Sequence, residues 1–206
     1  MKQRTKKILD ILKETYPDAK CELNYKTPFQ LLIATVLSAQ TTDKKVNKVT
    51  EVLFDKYPDL EAFLTLDNEQ LEDIIKELGL YKNKSKNIIM LCNRLHQCFN
   101  DTVPDNMEDL ITLAGVGRKT ANVVLSNAFG VPSIAVDTHV FRVANRLELA
   151  SSDNVNEVEE QLKKELPKKE WSHTHHLLIF HGRRCCIARK PKCSECSLKS
   201  LCHYNA

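Results

Sequence analysis

The sequence predicts an all-α protein, and three observations support this prediction. Hydrophobic residues make up 42% of the 206 positions, enough for a substantial core, and only 5 glycines and 7 prolines interrupt the chain. Apolar residues recur at helical spacing, and helix-capping residues precede the apolar stretches. No alternation of polar and apolar residues lasts long enough to predict a sheet, since residues 133–136 are extended at most.

The N-terminal part of the chain predicts two helices. Residues 4–16 place aliphatic side chains on one helical face. Thr27 and Pro28 have the order of an N-cap followed by a proline at the first helical position. They open a helix over residues 29–39 that we expect to be buried, because nearly all of its residues are apolar.

Capping residues mark the next helices. Thr42 and Asp43 precede a helix with one apolar face. Asp67 and Gln70 resemble a capping box in which Asp takes the Ser/Thr position. The helix that they start is expected to end at Gly79.

The second half of the chain continues the helical pattern. Residues 85–99 carry an apolar face, and Asn106 introduces a short helix. Further on, Asp137 is an N-cap candidate for residues 138–147. Two later helices are predicted, one from Asp153 or Asn154 to Leu166 and one over residues 169–181 that Gly182 closes.

A glycine turn connects the short helix to the next one. Gly115-Val116-Gly117 lies directly before a predicted helix that begins at Arg118 and ends at Gly130. Glycine tolerates positive φ and leaves backbone N–H groups uncovered. Such a turn before a helix N-terminus predicts an anion site.

The same turn has a plainer interpretation, since helical hairpins with glycine turns are common. It is neither a dinucleotide-binding fingerprint nor a P-loop, because the strand, the third glycine and the GK[ST] order are missing. Arg118 and Lys119 follow immediately, and their charge suits a polyanion. The turn could therefore hold one phosphodiester without reading a base.

Five of the 8 cysteines lie near the C-terminus. They are Cys185, Cys186, Cys193, Cys196 and Cys202. Disulfides are a weaker explanation than a metal site for a chain with a good core. The spacing matches neither paired zinc knuckles nor the ferredoxin run, and chemistry alone would accept Cys185 or Cys186 as the first ligand.

Two segments, L-x-G-V-G-R-K-T-A at 113–121 and V-D-T-H-V-F-R-V at 136–143, resemble the endonuclease III family of DNA glycosylases. The resemblance covers nearly the whole chain. It implies a two-domain helix-hairpin-helix DNA glycosylase fold, with DNA in the cleft between the domains. Residues 22–132 would form the six-helix barrel domain, containing the helix-hairpin-helix at about 107–130. Residues 1–21 with 133–206 would form a discontinuous iron–sulfur cluster domain.

The resemblance also implies a cofactor. The spacing from Cys186 through Cys193 and Cys196 to Cys202 matches the family pattern that holds a [4Fe–4S] cluster. The family spacing selects Cys186 over Cys185 as the first ligand. The loop at 186–202 would then order a polar tail that cannot bury enough area to fold alone.

A lysine and an aspartate at the two motif positions imply the chemistry. Lys119 would be the nucleophile. Three factors would favour its neutral amine: the helix N-terminus, the neighbouring positive charge and partial desolvation. Asp137 could cap its helix and also stabilise charge on the sugar.

Other residues match DNA-contacting positions of the family. Gln40 would fill the space left by a flipped base, and Leu80 would enter the base stack. His139 could contact DNA or only stack in the fold. The remaining expected contacts are the glycine turn and the basic loop: Gly115, Val116, Gly117, Arg118, Arg189, Lys190 and Lys192.

The implied function is excision of oxidised pyrimidines from double-stranded DNA, with cleavage 3′ to the abasic site by a lysine Schiff base. Alternatives are a mismatch glycosylase of the same fold and a non-catalytic iron–sulfur DNA-binding protein. A net charge of +3 only weakly favours nucleic acid. We expect a monomer. We also expect a cytosolic location, because the sequence contains no membrane-length apolar stretch and no signal core.

Two departures from the family pattern stand near these motifs. Ala114 occupies the place of a usual proline, which predicts a less rigid glycine turn. Arg184 and Cys185 replace a common Tyr-Thr pair. Neither departure alters Lys119 or Asp137.

Overall fold

The computed structural model describes residues 1–204 and confirms the all-α prediction, since these residues form helices and no strand. The chain divides into two compact units. One consists of Glu22–Val131, and the other combines Met1–Cys21 with the chain from Pro132 onward. Within the described residues, no helix combines the length and apolarity needed to cross a membrane.

The unit Glu22–Val131 contains seven helices. They are α2 (Pro28–Leu37), α3 (Asp43–Lys56), α4 (Leu60–Leu64), α5 (Asn68–Ile75), α6 (Tyr81–Cys98), α7 (Met107–Leu110) and α8 (Arg118–Ala128). The apolar α2 lies at the centre and packs against α3, α6 and α8. Nine of its ten residues are buried, as its composition predicts.

Caps place several helix starts where the sequence predicts them. Thr27 accepts a hydrogen bond from the Gln30 amide, and Asp67 with Gln70 forms the complete capping box. Thr42 occupies the N-cap position of α3, but its side chain makes no capping hydrogen bond. Helix α5 ends at Ile75 rather than at Gly79.

Two features of this unit were not predicted. Helix α4 is short, and Asp59 caps it by accepting from the Ala62 amide at 2.9 Å. Helix α6 begins at Tyr81, four positions before the predicted start, with Leu80 in the left-handed region at its N-cap. Both features depend on local backbone conformation, which the spacing of apolar residues does not predict.

The other unit contains four α-helices among its described residues. They are α1 (Gln3–Thr15), α9 (Thr138–Arg146), α10 (Val155–Glu165) and α11 (Trp171–Arg184). Helix α11 packs against α1 and α9, and α10 also contacts α9. Their apolar faces form one core that includes Ile8, Val140 and Leu178.

The sequence predicts that Gly182 ends the last α-helix, but α11 continues to Arg184. The glycine is buried against α9 instead. A Cβ at this position would lie 3.0 Å from His139 Cβ and 3.2 Å from Val143 Cγ2. The residue therefore serves close helix packing, and the absence of a side chain outweighs its poor helix propensity.

Candidate functional site

The glycine turn between α7 and α8 uses its two glycines differently. Gly115 has φ +76°, which favours glycine, whereas Gly117 has φ −94° and serves as the N-cap of α8. A Cβ on Gly115 would lie 3.1 Å from Asn87 Cβ, whereas a Cβ on Gly117 would have no atom within 4 Å. Of the two positions, only 115 has a backbone conformation that requires glycine.

The amide cup is smaller than the sequence predicts. The Val116 N–H donates to the Leu113 carbonyl at 3.1 Å, and Val116 is buried. Any amide donor to a phosphate must therefore come from other residues of the turn and from the first turn of α8. Of these residues, Gly117 and Arg118 are exposed, and the helix dipole also favours an anion there.

Lys119 lies in the first turn of α8 and is exposed. The partial desolvation expected from the sequence is absent in this structure. Lys119 does follow Arg118 directly, and it lies near the positive end of the helix dipole, as the sequence predicts.

Asp137 caps α9 with one of its two carboxylate oxygens. Its Oδ1 atom accepts hydrogen bonds from the His139 and Val140 amides, both at 2.8 Å. The described residues provide no hydrogen bond to Oδ2. The cap fixes the side chain while leaving one oxygen available for another role.

His139 is held by the neighbouring arginine. Arg142 Nη2 lies 3.2 Å from His139 Nδ1 and donates to the Gly182 carbonyl at 2.9 Å. Desolvation lowers the pKa of His139. The imidazole is therefore neutral at physiological pH, and its donor would be Nε2–H when Nδ1 accepts from Arg142.

Gln40 and Leu80 share an unusual backbone conformation. Their φ angles are +52° and +59°, in the left-handed region that non-glycine residues rarely adopt. Both residues are exposed, and 52% of Leu80 is accessible. Leu80 is thus an exposed apolar side chain at the start of α6.

The C-terminal thiols converge on one cavity of about 270 Å³. Its lining includes all five C-terminal cysteines: Cys185, Cys186, Cys193, Cys196 and Cys202. Four thiolates around one such space are the ligand set of a [4Fe–4S] cluster, so the predicted ligands fit this group. Cys185 is a fifth thiol in the same lining.

Two arginines of α9 hold the cysteine loop. Arg142 Nε donates to the Cys186 carbonyl at 3.1 Å. Arg146 donates to the carbonyls of Ile187 and Ala188 at 2.9 Å and 3.1 Å, and its Nη1 atom lies 3.4 Å from Cys186 Sγ. These contacts fix the loop backbone beside the predicted ligand.

The basic side chains of the loop remain at the surface. Arg189, Lys190 and Lys192 are all exposed, and the Lys192 amide donates to the Cys185 carbonyl at 3.1 Å. The cysteine loop thus presents three cations on a backbone that α9 and the thiol site restrain.

A buried histidine connects this site to α1, which sequence reasoning missed. Tyr16 Oη lies 3.0 Å from His181 Nδ1, and His181 Nε2 lies 3.8 Å from Cys196 Sγ. Burial lowers the pKa of His181 to about 4 and raises the pKa of Tyr16 to about 12, so both are neutral. The sequence places His181 at the end of a predicted helix, and nothing in its spacing to the cysteines marks it as their neighbour.

Comparison with known proteins identifies two family models in the chain. Residues 33–168 match the HhH-GPD superfamily of base excision DNA repair proteins. Residues 186–202 match the iron-sulfur binding domain of endonuclease III. The second match begins at Cys186 and ends at Cys202, which supports Cys186 as the first ligand and agrees with the predicted [4Fe–4S] cofactor.

Relatives and solved structures extend over almost the full chain. The endonuclease III of Escherichia coli K12 is 49% identical over 203 residues, covering 98% of this chain and 96% of its own. That of Bacillus subtilis is 51% identical, covering 94% and 89%. A non-covalent endonuclease III–DNA complex has a TM-score of 0.94 at 51% identity, covering 98% and 95%. A thermostable thymine-DNA glycosylase has a TM-score of 0.88 at 26% identity, covering 98% and 96%.

Replacing each glycine of the turn by alanine tests their different roles. We expect Gly115→Ala to destabilise the protein by about 1–3 kcal/mol, through the positive φ and the approach to Asn87. Gly117→Ala should change stability by less than about 1 kcal/mol, because its φ is ordinary and its Cβ would meet nothing. Urea unfolding of both variants measures the difference, and equal losses would contradict it.

Serine substitutions at the paired cysteines test the ligand assignment. We expect Cys186→Ser to lose most of its iron and acid-labile sulfide, because the first thiolate ligand is removed. Cys185→Ser should keep the iron content and visible absorption of the unaltered protein. If Cys185→Ser is the variant that loses iron, Cys185 is the ligand.

Proposed function

The chain belongs to the HhH-GPD superfamily of base excision DNA repair proteins, in its endonuclease III group, and from this membership we propose its reaction. It is a DNA glycosylase with abasic-site lyase activity. Its proposed substrates are oxidised pyrimidines in double-stranded DNA, and it would act in the cytoplasm as a monomer. The observation that best supports the proposal is a lysine in the first turn of the helix that follows the glycine turn.

Lys119 is proposed as the nucleophile. The neutral amine attacks C1′ of the deoxyribose, and the bond between C1′ and the base breaks with its electron pair leaving on the base. The amine loses a proton and the departing base gains one. The C1′–O4′ bond then breaks, its electron pair leaves on O4′, which gains a proton, and the nitrogen lone pair forms a protonated Schiff base between Lys119 and C1′.

The same Schiff base supports strand cleavage. Loss of a proton from C2′ and departure of the 3′ phosphate, with the electron pair of the C3′–O bond, complete a β-elimination. The strand is nicked 3′ to the abasic site, and hydrolysis releases Lys119. One amine therefore serves both the glycosylase and the lyase steps.

Asp137 is proposed to act by charge. Its capped carboxylate would stabilise positive charge developing on the sugar and assist proton transfer. Capping by Oδ1 supports this role, because it restricts the carboxylate without using Oδ2. Preorganisation of this kind lowers the cost of orienting the group during reaction.

The remaining predicted contacts are proposed to hold the duplex. Amides at the start of α8, together with Arg118, would bind a phosphate. Arg189, Lys190 and Lys192 would bind other phosphates, and His139 could donate from Nε2. Gln40 and Leu80 would occupy the space that base flipping opens.

Cys186, Cys193, Cys196 and Cys202 would hold the [4Fe–4S] cluster. Bound there, the group supplies metal–thiolate bonds that order the C-terminal segment. The protein residues then do the rest: Arg142 and Arg146 fix the loop backbone, and the loop presents its cations to DNA. No proposed step of base excision requires a change in cluster oxidation state.

A mismatch thymine glycosylase is the second candidate, because a solved thymine-DNA glycosylase has a TM-score of 0.88. Its 26% identity is about half of that to the endonuclease III relatives. A lyase based on Lys119 separates the two candidates chemically. Cleavage of a thymine-glycol duplex in preference to a G·T mismatch would favour the proposed reaction.

Borohydride trapping tests the nucleophile. We expect the unaltered protein to form a covalent adduct with a thymine-glycol duplex, because borohydride reduces the Schiff base to a stable amine. Lys119→Ala should form no adduct while binding the duplex with a Kd within about threefold of the unaltered protein. An adduct that persists in Lys119→Ala would assign the Schiff base to another amine.

Asparagine at position 137 separates capping from catalysis. Asn and Asp are similar N-caps, so we expect Asp137→Asn to change the free energy of unfolding by less than about 0.5 kcal/mol. Its single-turnover excision rate should fall by about 100-fold, because the negative charge is lost. Asp137→Ala should lose both activity and about 1 kcal/mol of stability. An Asn variant with full activity would leave Asp137 only its capping role.

A further inference from the structure

Lys84 is unusual because it is a lysine with only 4% of its surface exposed. Buried lysines are rare unless they are paired with a carboxylate. Its ammonium instead donates to a neutral partner, the Thr41 hydroxyl, at 2.9 Å. Burial and the charge of Lys45 lower the pKa of Lys84. Holding a cation here costs stability, so the contact needs an explanation other than core packing.

The contact lies beside the two left-handed residues described above. Thr41 directly follows Gln40, and the Lys84 amide donates to the Leu80 carbonyl at 3.0 Å. Lys84 thus contacts the Leu80 turn through its backbone and the Gln40 turn through its side chain. A Cβ on Gly79 would be 3.8 Å from the Gln40 carbonyl oxygen, so the two turns are also close to each other.

The hydroxyl group of Thr41 also bonds to the residue that precedes Gln40. The Thr41 hydroxyl accepts from Lys84 Nζ and donates to the Ala39 carbonyl at 3.3 Å. The residues on both sides of Gln40 are therefore connected to α6 through one hydroxyl group. Left-handed conformations cost on the order of 1 kcal/mol for each non-glycine residue and persist only where surrounding contacts maintain them.

We propose that Lys84 is a positioning residue that acts through Thr41 and holds the Gln40 turn and the Leu80 turn in one fixed arrangement for entry into the DNA duplex. The inference rests on the proposed function, in which Gln40 and Leu80 enter the base stack. Lys84 touches neither the substrate nor the reacting atoms. It keeps two exposed side chains ordered before DNA arrives, which reduces the ordering cost of binding.

Four variants test the contact. Lys84→Met keeps an unbranched side chain of similar length and removes the ammonium. Thr41→Val removes the hydroxyl with little change of shape, and Thr41→Ser is the matched control that retains it. The double variant Lys84→Met/Thr41→Val completes a double-mutant cycle.

Single-turnover cleavage is measured on two duplexes, each carrying one abasic site. In one duplex the site lies in an otherwise paired helix, and in the other it lies in a three-nucleotide unpaired bulge. The bulge lowers the cost of extruding the nucleotide. Thermal unfolding of every variant is measured in parallel.

On the paired duplex, we expect Lys84→Met and Thr41→Val each to cleave about 10-fold more slowly, since small misplacements of contact residues have effects of this size or larger. The double variant should be no slower than Lys84→Met, and Thr41→Ser should retain the unaltered rate. On the bulged duplex the deficits should shrink to about twofold or less. Thermal stability of Lys84→Met should be equal or higher, because a desolvated charge is removed.

Several results would overturn the inference. Unchanged cleavage of the paired duplex by Lys84→Met would do so, as would equal deficits on both duplexes. A lowered melting temperature that accounts for the rate loss would give Lys84 an ordinary structural role. If Lys84→Met does not fold, Thr41→Val against Thr41→Ser decides, because Thr41 is only partly buried. Failure of the unaltered protein to cleave either duplex would instead refute the proposed function.

Discussion

The start of α8 depends on one backbone conformation, the positive φ of Gly115. This turn allows α7 to end and α8 to begin within a few residues, with Val116 buried between them. The N-terminal amides of α8 and the side chains of Arg118 and Lys119 are exposed as a consequence. A Cβ at Gly115 would press on Asn87 of α6, so the position of Lys119, the proposed nucleophile, depends on packing within the unit Glu22–Val131.

Most helices follow from the sequence because their signals are local. The apolar character of α2 and the Asp67–Gln70 capping box both act within a few residues, and the structure reproduces them. The prediction that Gly182 ends its helix is wrong, because the role of this glycine depends on Val143 and His139, which are remote in sequence. The same limit applies to His181, whose contacts with Tyr16 and Cys196 join three separate segments.

The residues of the candidate site fall into the same two groups: those with a signal in the local sequence and those that depend on remote contacts. The motif residues could be predicted because they match the motifs of a known family, and the four cysteines predicted in this way line one cavity together with Cys185. The residues that support them could not. Lys84 lies just before the helix predicted over residues 85–99, and its burial and its contact with Thr41 arise only in the folded chain. Motif spacing predicts the groups that are proposed to do chemistry, whereas tertiary packing determines which neighbours keep those groups in place.

Capping and catalysis at Asp137 are compatible because a carboxylate has two oxygens. The cap requires one acceptor for the amides of His139 and Val140, and Oδ1 provides it. The negative charge is shared by both oxygens, so Oδ2 retains its electrostatic effect on a nearby cation. A structural interaction therefore fixes the orientation of this group, and the simple N-cap predicted from sequence is a component of the proposed mechanism rather than its alternative.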